Sequence, residues 1–345
     1  VTRRGSHVRD CNDLKRVMII VVVALIPTLL FGIYNIGYQH NLAAGTDMGF
    51  WQMVWYGFLK ILPLYLVSYI VGLGIEFASA QIRGHEVNEG YLVTGMIIPL
   101  IVPINIPLWI LALAVAFAVI LGKEVFGGTG MNIWNPALIA RAFLFFAYPS
   151  HMSGDKVWVA GVDGYSGATP LAEAAIGNFP TMANGSDSIL NMFIGLRRGC
   201  PREAATTAIL IGPAILIFTG VASWKIMLST VVGGLAMGYL CNAIAPDPTS
   251  YLAMPAWEHL IMGGFAFGAV FMATDPVTSA QTETGKWIYG FLIGAFTIIL
   301  RVFNPGYPEG MMLSILLMNT FAPLIDYCVV QRNIKNRLKR AQINQ

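Results

Sequence analysis

The chain has 345 residues, 56% apolar and only 11% charged, with a mean hydropathy of +0.65 and a formal net charge of +3. A soluble domain carries about 25% charged residues, and a large soluble core would still need a charged surface, so the composition excludes an ordinary soluble enzyme and points to burial in lipid. Basic clusters at the two ends (Arg3, Arg4, Arg9, Lys15, Arg16; Arg332, Lys335, Arg337, Lys339, Arg340) flank apolar segments, which reads as anchoring to the cytoplasmic membrane face, with lipid and not nucleic acid as the neighbour.

A membrane helix needs about 20 apolar residues. In chain order such segments run Val17–Tyr38, Ile61–Ala80, Gly90–Ile104, Ile106–Gly122, Ile133–Tyr148, Ala204–Val221, Ile226–Ile244, His259–Thr274, Trp287–Phe303 and Met311–Val330. The expected fold class is therefore an all-α polytopic membrane protein of about ten transmembrane helices. With the N-terminus inside, Arg83, Lys123, Lys225 and Lys286 also fall inside, and 14 of the 21 basic residues are cytoplasmic. Only Lys156, Arg197, Arg198 and Arg202 fall outside, a bias that the opposite orientation would invert. The expected location is a bacterial cytoplasmic (inner) membrane, multi-pass, with both termini cytoplasmic.

This gives a cytoplasmic N-terminal segment (1–16), a first five-helix half (17–149), an extracytoplasmic loop (150–203), a second five-helix half (204–330) and a basic cytoplasmic tail (331–345). Segment five starts after Asn135-Pro136, behind Gly127-Gly128-Thr129-Gly130; segment ten starts after Asn304-Pro305 and Gly306. Five spans is an odd number, so matching starts lie on opposite faces, which is the signature of an inverted repeat whose short or broken helices line a central site. The plainer reading is that Asn-Pro and glycine only mark turns.

The chain starts at Val1, so a further N-terminal piece is expected. Cys11, Cys200, Cys241 and Cys328 form no CxxC or Cys/His cluster, and no metal centre is expected; Cys200 and Cys241 could pair on the outer side or stay buried thiols. Gly122-Lys123 lacks the spacing and the Ser/Thr of a phosphate loop, and no dinucleotide fingerprint follows a strand, so NADH is not expected to bind this chain.

The long loop carries Asp163-Gly164-Tyr165-Ser166-Gly167-Ala168-Thr169. As a short pattern it reads as a surface turn. The sharper reading is a hydroxyl poised to carry the phosphate of FMN as a phosphoester, on glycines that admit a bulky cofactor. Asp163, Ser166, Gly167, Ala168 and Thr169 match the flavinylation motif D-x-x-S-G-A-T. Further matching stretches are Val1–Arg9, His85–Gly90, Gly122–Gly130, Asn135–Leu138, Arg141–Pro149, Phe271–Pro276, Asn304-Pro305 and Tyr307–Met312. On these stretches the chain resembles the B-subunit family of the Na+-translocating NADH:quinone oxidoreductases along nearly its whole length. The D subunit of the related Rnf complex, a ferredoxin:NAD+ oxidoreductase, shares the threonine motif and is the alternative; the N-terminal stretch and Lys123–Tyr148 favour the quinone reductase.

The resemblance implies a membrane redox subunit with two flavins, a covalent FMN on Thr169 and a non-covalent riboflavin. Electrons would pass from the FMN of the C subunit to these two and on to ubiquinone, coupled to Na+ export within a six-subunit complex. The family's members carry a further N-terminal segment that would contribute to the quinone pocket. The resemblance also places Asn132 and Asn135 by the riboflavin. Their own chemistry fits, since the glycines before them allow close backbone approach and their amides suit a flavin edge. Asn135 before Pro136 equally reads as a helix cap.

Charges inside the apolar segments are few. Glu76 and Asp326 sit near inner span ends, where they could snorkel or pair locally, or capture Na+ as hard oxygen ligands; the resemblance points to the ion path. Arg141 and Arg301 are expected to face the bundle interior. Gly72, one turn before Glu76, would leave room for a flat quinone ring, at a place like the family's quinone-inhibitor region. Trp51, Trp55, Tyr56, Trp109, Trp257 and Trp287 sit at span ends and read as interface anchors. A passive channel or transporter of inverted-repeat type, or a mere membrane anchor, shares the helix count but leaves the Thr169 motif unexplained.

Overall fold

The structure is a computed structural model that describes residues 14–84, 90–152, 159, 169–175, 189–195, 199–201, 206–247, 250–304 and 309–343. Asp163, Ser166, Gly167 and Ala168 lie outside the described residues, as do His85–Glu89, Pro305–Pro308, Cys11 and the basic residues before Lys15.

Among the described residues helices are the only regular secondary structure. The first half holds α1 (Leu14–Ala44), α2 (Phe50–Arg83), α3 (Tyr91–Ile101), α4 (Leu108–Gly122), a 3-10 turn (Glu124–Phe126) and α5 (Pro136–Ala147). Three short helices follow: α6 (Pro149–Met152), α7 (Pro170–Ala175) and α8 (Ile189–Ile194). The second half holds α9 (Thr206–Phe218), α10 (Trp224–Ile244), the short turns α11 (Glu258–Ile261) and α12 (Phe265–Phe267), a π turn (Gly268–Met272), α13 (Glu283–Phe303) and α14 (Met311–Ile343). Nine of the ten apolar segments of the sequence are thus each present as one helix.

They are not ten equal spans, however. Among the described residues, six helices are long and apolar enough to cross a membrane: Lys15–Ala44, Phe50–Arg83, Leu108–Phe126, Trp224–Ile244, Glu283–Phe303 and Met311–Arg340. The helices Tyr91–Ile101, Pro136–Ala147 and Ala208–Phe218 are shorter; at 1.5 Å per residue they rise only about 16–20 Å, against a hydrocarbon core of about 30 Å. The segment expected as His259–Thr274 is broken: Gly263 at φ +60° ends α11, and a π turn follows α12. Such breaks are tolerated at membrane depth where the backbone is packed in protein. Here it is, because Phe265, Phe267, Met272 and Ala273 are all 1% exposed or less.

The short elements form the centre. From Thr94 to Ile101 every residue of α3 is buried, as expected of a helix that is apolar on all sides. The long helices wrap it and turn apolar side chains outward: Leu30, Ile70, Leu240 and Leu324 are each more than half exposed, a surface that fits lipid. Trp51, Trp55 and Trp109 are likewise exposed near helix starts, consistent with an interfacial belt.

Neighbours recur in the same chain order in the two halves. In the first, α2 packs on α4, α4 on α5, α1 on α3 and α3 on α5; in the second, α10 packs on α13, α13 on α14, α9 on α12 and the π turn, and α14 on the π turn. The counterparts α1 and α9 touch each other, as do α5 and α14. The correspondence is incomplete, since α1 runs along α2 whereas α9 and α10 are not a principal contact. The tightest pair, α10 on α13, closes through small residues: a Cβ at Gly233 would lie 2.1 Å from Phe291 O, and one at Gly294 2.0 Å from Thr230 O.

Candidate functional site

Thr169 heads α7. Its carbonyl accepts from Glu173 N (3.0 Å) and its Oγ1 from Ala172 N (3.3 Å), so the half-buried hydroxyl caps the helix. Leu171 and Ala174 on α7 pack against Met254 and Met262. A Cβ on Gly263 would lie 3.3 Å from Leu171 Cδ2 and 3.2 Å from Arg301 Nη2. The Thr169 turn is therefore seated on the broken segment, beside a buried arginine.

Arg301 is 1% exposed and donates to three carbonyls: Nε to Glu309 O (2.9 Å), Nη1 to His259 O (2.5 Å) and Nη2 to Met262 O (3.1 Å). Arg141 of α5 donates through Nη1 to Ile101 O (2.5 Å), at the end of α3, and its Nη2 is paired with the Glu309 carboxylate. Cys200 Sγ also donates to Ile101 O (3.4 Å). Cys200 and Cys241 are both buried thiols with no disulfide between them, so of the two expectations the buried thiols hold. The expectation that both arginines face the interior is met, and Glu309, which the sequence did not single out, joins them. Glu258, at the start of α11, is buried, and burial pushes its carboxyl up to about 7.

The other candidate lies where the two halves meet. Val17, Met18 and Val21 of α1, Thr94 and Ile97 of α3, Lys123, Thr129, Asn132 and Asn135 wall it from one side; Leu216, Ala222, Phe271, Thr274 and Asp275 wall it from the other. The free space enclosed within it is about 60 Å³, and the cleft opens to the surface. The loop before α5 takes its shape from Gly127, Gly128 and Gly130, at φ +118°, +97° and +94°, a region that only glycine enters at little cost. It delivers Asn135 as the N-cap of α5: Oδ1 accepts from Ala137 N (3.0 Å) and Nδ2 donates to Asp275 Oδ2 (3.4 Å), ahead of Pro136. Asn132 Nδ2 donates to Trp134 O (3.0 Å).

Asp275 completes this wall. Its carboxylate also accepts from Val277 N (3.2 Å) and Thr278 Oγ1 (3.0 Å). The broken segment thus links the two places: its first turn carries α7 and Thr169, and its last residues, Thr274 and Asp275, line the cleft.

Lys123, the C-cap of α4, lines the cleft and is ion-paired with Glu76 of α2, each side chain being 4% exposed. Asp326 is placed elsewhere, at the head of α13: it accepts from Gln281 N (2.7 Å), Thr282 N (3.0 Å) and Thr282 Oγ1 (2.6 Å). The structure does not bring Glu76 and Asp326 together. Gly72 is buried outside the cleft, and the room it leaves is filled by the chain itself, since a Cβ there would lie 1.9 Å from Tyr91 Cζ. Lys123 and Asp275 fall within stretches that carry the family resemblance, which was the one available signal for them; Glu309 likewise falls within Tyr307–Met312.

The profile described as the NQR2, RnfD, RnfE family matches residues 1–335. A protein of Pseudomonas paraeruginosa is 49% identical, with 99% of this chain and 90% of the relative covered. One of Azotobacter vinelandii is 47% identical over the same shares, and one of Chromohalobacter salexigens 48% identical over 99% of this chain and 87% of the relative. Each of the three relatives is named as the B subunit of a Na(+)-translocating NADH-quinone reductase.

Proposed function

The chain belongs to the NQR2, RnfD, RnfE family, and on that premise we propose that it is the flavin-bearing membrane subunit of a Na+-translocating NADH:quinone reductase. In this reading it takes electrons from the FMN of the C subunit, carries FMN esterified to Thr169 and a riboflavin in the Asn135 cleft, and delivers to ubiquinone, with Na+ exported across the inner membrane. The names of the relatives favour this over the D subunit of an Rnf complex. The observation that carries it is the seating of Thr169: a half-buried hydroxyl fixed at a helix head on the broken segment, whose other end walls a cleft between the halves.

The residues present fit both groups. At Thr169 a cap hydroxyl offers the oxygen for a phosphoester, and α7 holds it against Met254 and Met262. In the cleft, Asn132, Asn135, Thr94, Thr129 and Lys123 offer amide, hydroxyl and ammonium groups to a polar ring edge, while Val21, Ile97, Leu216 and Phe271 offer apolar faces. Bound flavins supply one- and two-electron transfer, and the chain supplies position, electrostatics and exclusion of water. Glu76 and Asp326 supply carboxylates for Na+. A quinone ring at Gly72 requires the Tyr91 ring to move aside. The recurrence of matching neighbours after an odd number of segments supports two inverted halves, and the bias of basic residues supports cytoplasmic termini.

Acid precipitation of the purified complex tests the reading. Riboflavin is expected in the supernatant and a flavin fluorescing on this polypeptide in the pellet. A colourless polypeptide and a flavin-free supernatant would leave a non-redox transporter of the same architecture.

A further inference from the structure

We propose that the Lys123 ammonium is a tethered cation that competes with Na+ for the Glu76 carboxylate, and that charge in the Asn135 cleft decides the competition. The second half rests on the reading of that cleft as the holder of a redox group; the first half does not.

Three observations carry it. Lys123 is paired with Glu76, and both side chains are 4% exposed. The same Lys123 lines the cleft beside Asn132 and Asn135. Glu76 Oε2 is buried without a hydrogen-bond partner among the described residues, so this carboxylate oxygen has no hydrogen bond to give up when a further ligand binds. The nearby Glu124 has partners of its own, Arg83 at 3.7 Å and Ser79 Oγ at 2.5 Å, and does not draw Lys123 away.

A buried carboxylate cannot lose its only cation without replacement, because the charge would be left uncompensated away from water. An ammonium and Na+ carry the same charge, so one can replace the other at Glu76 with no change in net charge. Na+ is a hard cation that takes oxygen ligands, and a carboxylate oxygen with no hydrogen bond of its own suits it. Lysine is a compact charge on a flexible four-carbon stem. Fixed at the end of α4, it can turn its head from Glu76 toward the cleft. When the occupant of the cleft gains one unit of negative charge, Lys123 is drawn to it and Na+ enters at Glu76. The charges balance, one negative unit in the cleft against one Na+ bound.

The test uses the purified whole complex. The Na+ concentration that gives half of the Na+-specific rise in Tm is measured against a K+ reference, in air-oxidised and dithionite-reduced protein, for wild type, Lys123→Met, Lys123→Arg and Glu76→Gln/Lys123→Met. The reduced wild type is expected to need at least about tenfold less Na+ than the oxidised, within the usual range of coupling between two sites. Lys123→Met should bind Na+ already when oxidised, with the redox difference gone, while Lys123→Arg keeps the difference. The double variant should lose the gain. Oxidised Lys123→Met with wild-type Na+ dependence, or a double variant matching Lys123→Met, overturns the competition at Glu76. A gain in oxidised Lys123→Met together with no redox difference in wild type overturns only the link to the cleft, which separates failure of the cleft reading from failure at Glu76.

Discussion

Glu309, at the head of α14, pairs with Arg141 on α5 and so ties the two halves together at the end of the bundle that carries Thr169. Its carbonyl also accepts from Arg301, so one residue serves two buried guanidinium groups.

Removing that carboxylate should be costly. Loss of one partner of a buried pair costs about 3–5 kcal/mol, so Glu309→Ala is expected to lower the Tm of the purified complex markedly. Glu309→Gln, which keeps the backbone bond to Arg301 and an acceptor for Arg141, should lie between it and wild type. Thermal melting of the three proteins reads this directly, and equal Tm values would refute the clasp.

Gly72→Ala should clash with Tyr91. The added methyl would sit 1.9 Å from Tyr91 Cζ, and overpacking of this kind costs about 1–3 kcal/mol. The fall in Tm should be relieved by the double variant Gly72→Ala/Tyr91→Leu and not by Tyr91→Phe, because the ring carbon itself is the obstacle.

Asn135 has a cap role and a cleft role that substitutions can separate. Asn135→Asp keeps an N-cap oxygen for Ala137 N, whereas Asn135→Ala gives up about 1 kcal/mol of capping. The pair Asn132→Ala/Asn135→Ala is expected to purify with covalent FMN and without riboflavin, as read by acid extraction. Full riboflavin in that variant would remove both asparagines from the flavin site.

At Glu258 the pH dependence has a definite sign. Burial raises its carboxyl to about 7 in the folded protein, so the native state binds more protons than the unfolded chain between the ordinary carboxylate range and 7. Stability should therefore fall as pH rises through that window and level off above it. Glu258→Gln should flatten this part of a Tm-against-pH curve; an unchanged slope would show that Glu258 is not its source.

For Asp326, Asp326→Asn keeps an oxygen for the Thr282 donors and removes the charge. The Na+ concentration for half-maximal quinone reduction is expected to rise several-fold with little change in Tm. An unchanged Na+ dependence would leave Asp326 as the cap of α13 alone.

Much of the architecture was written locally. Nine of the ten apolar segments of the sequence hold one helix each, and Asn135-Pro136 starts α5 as cap-and-proline chemistry requires. The break in the segment His259–Thr274 was less legible, because its apolar residues run on past Gly263 and only the positive φ there ends the helix. Partners distant in sequence were not legible at all. Glu76 and Lys123 are 47 residues apart, and Arg141 and Glu309 are 168 apart; no periodicity encodes either pairing. Gly72 shows the same limit, since spacing exposed a gap but not the Tyr91 ring that fills it. The Thr169 hydroxyl was found from its motif, and the structure adds what the motif could not hold: the helix it caps and the broken segment that seats it.

The most direct measurement is in-gel flavin fluorescence of the denatured polypeptide, with peptide mass mapping, for wild type and Thr169→Ala expressed in a host that has the flavin transferase. A fluorescent wild-type band with the added mass on the peptide containing Thr169, and a dark variant, are expected. A dark wild-type band, or a variant that still fluoresces, would contradict covalent FMN at Thr169.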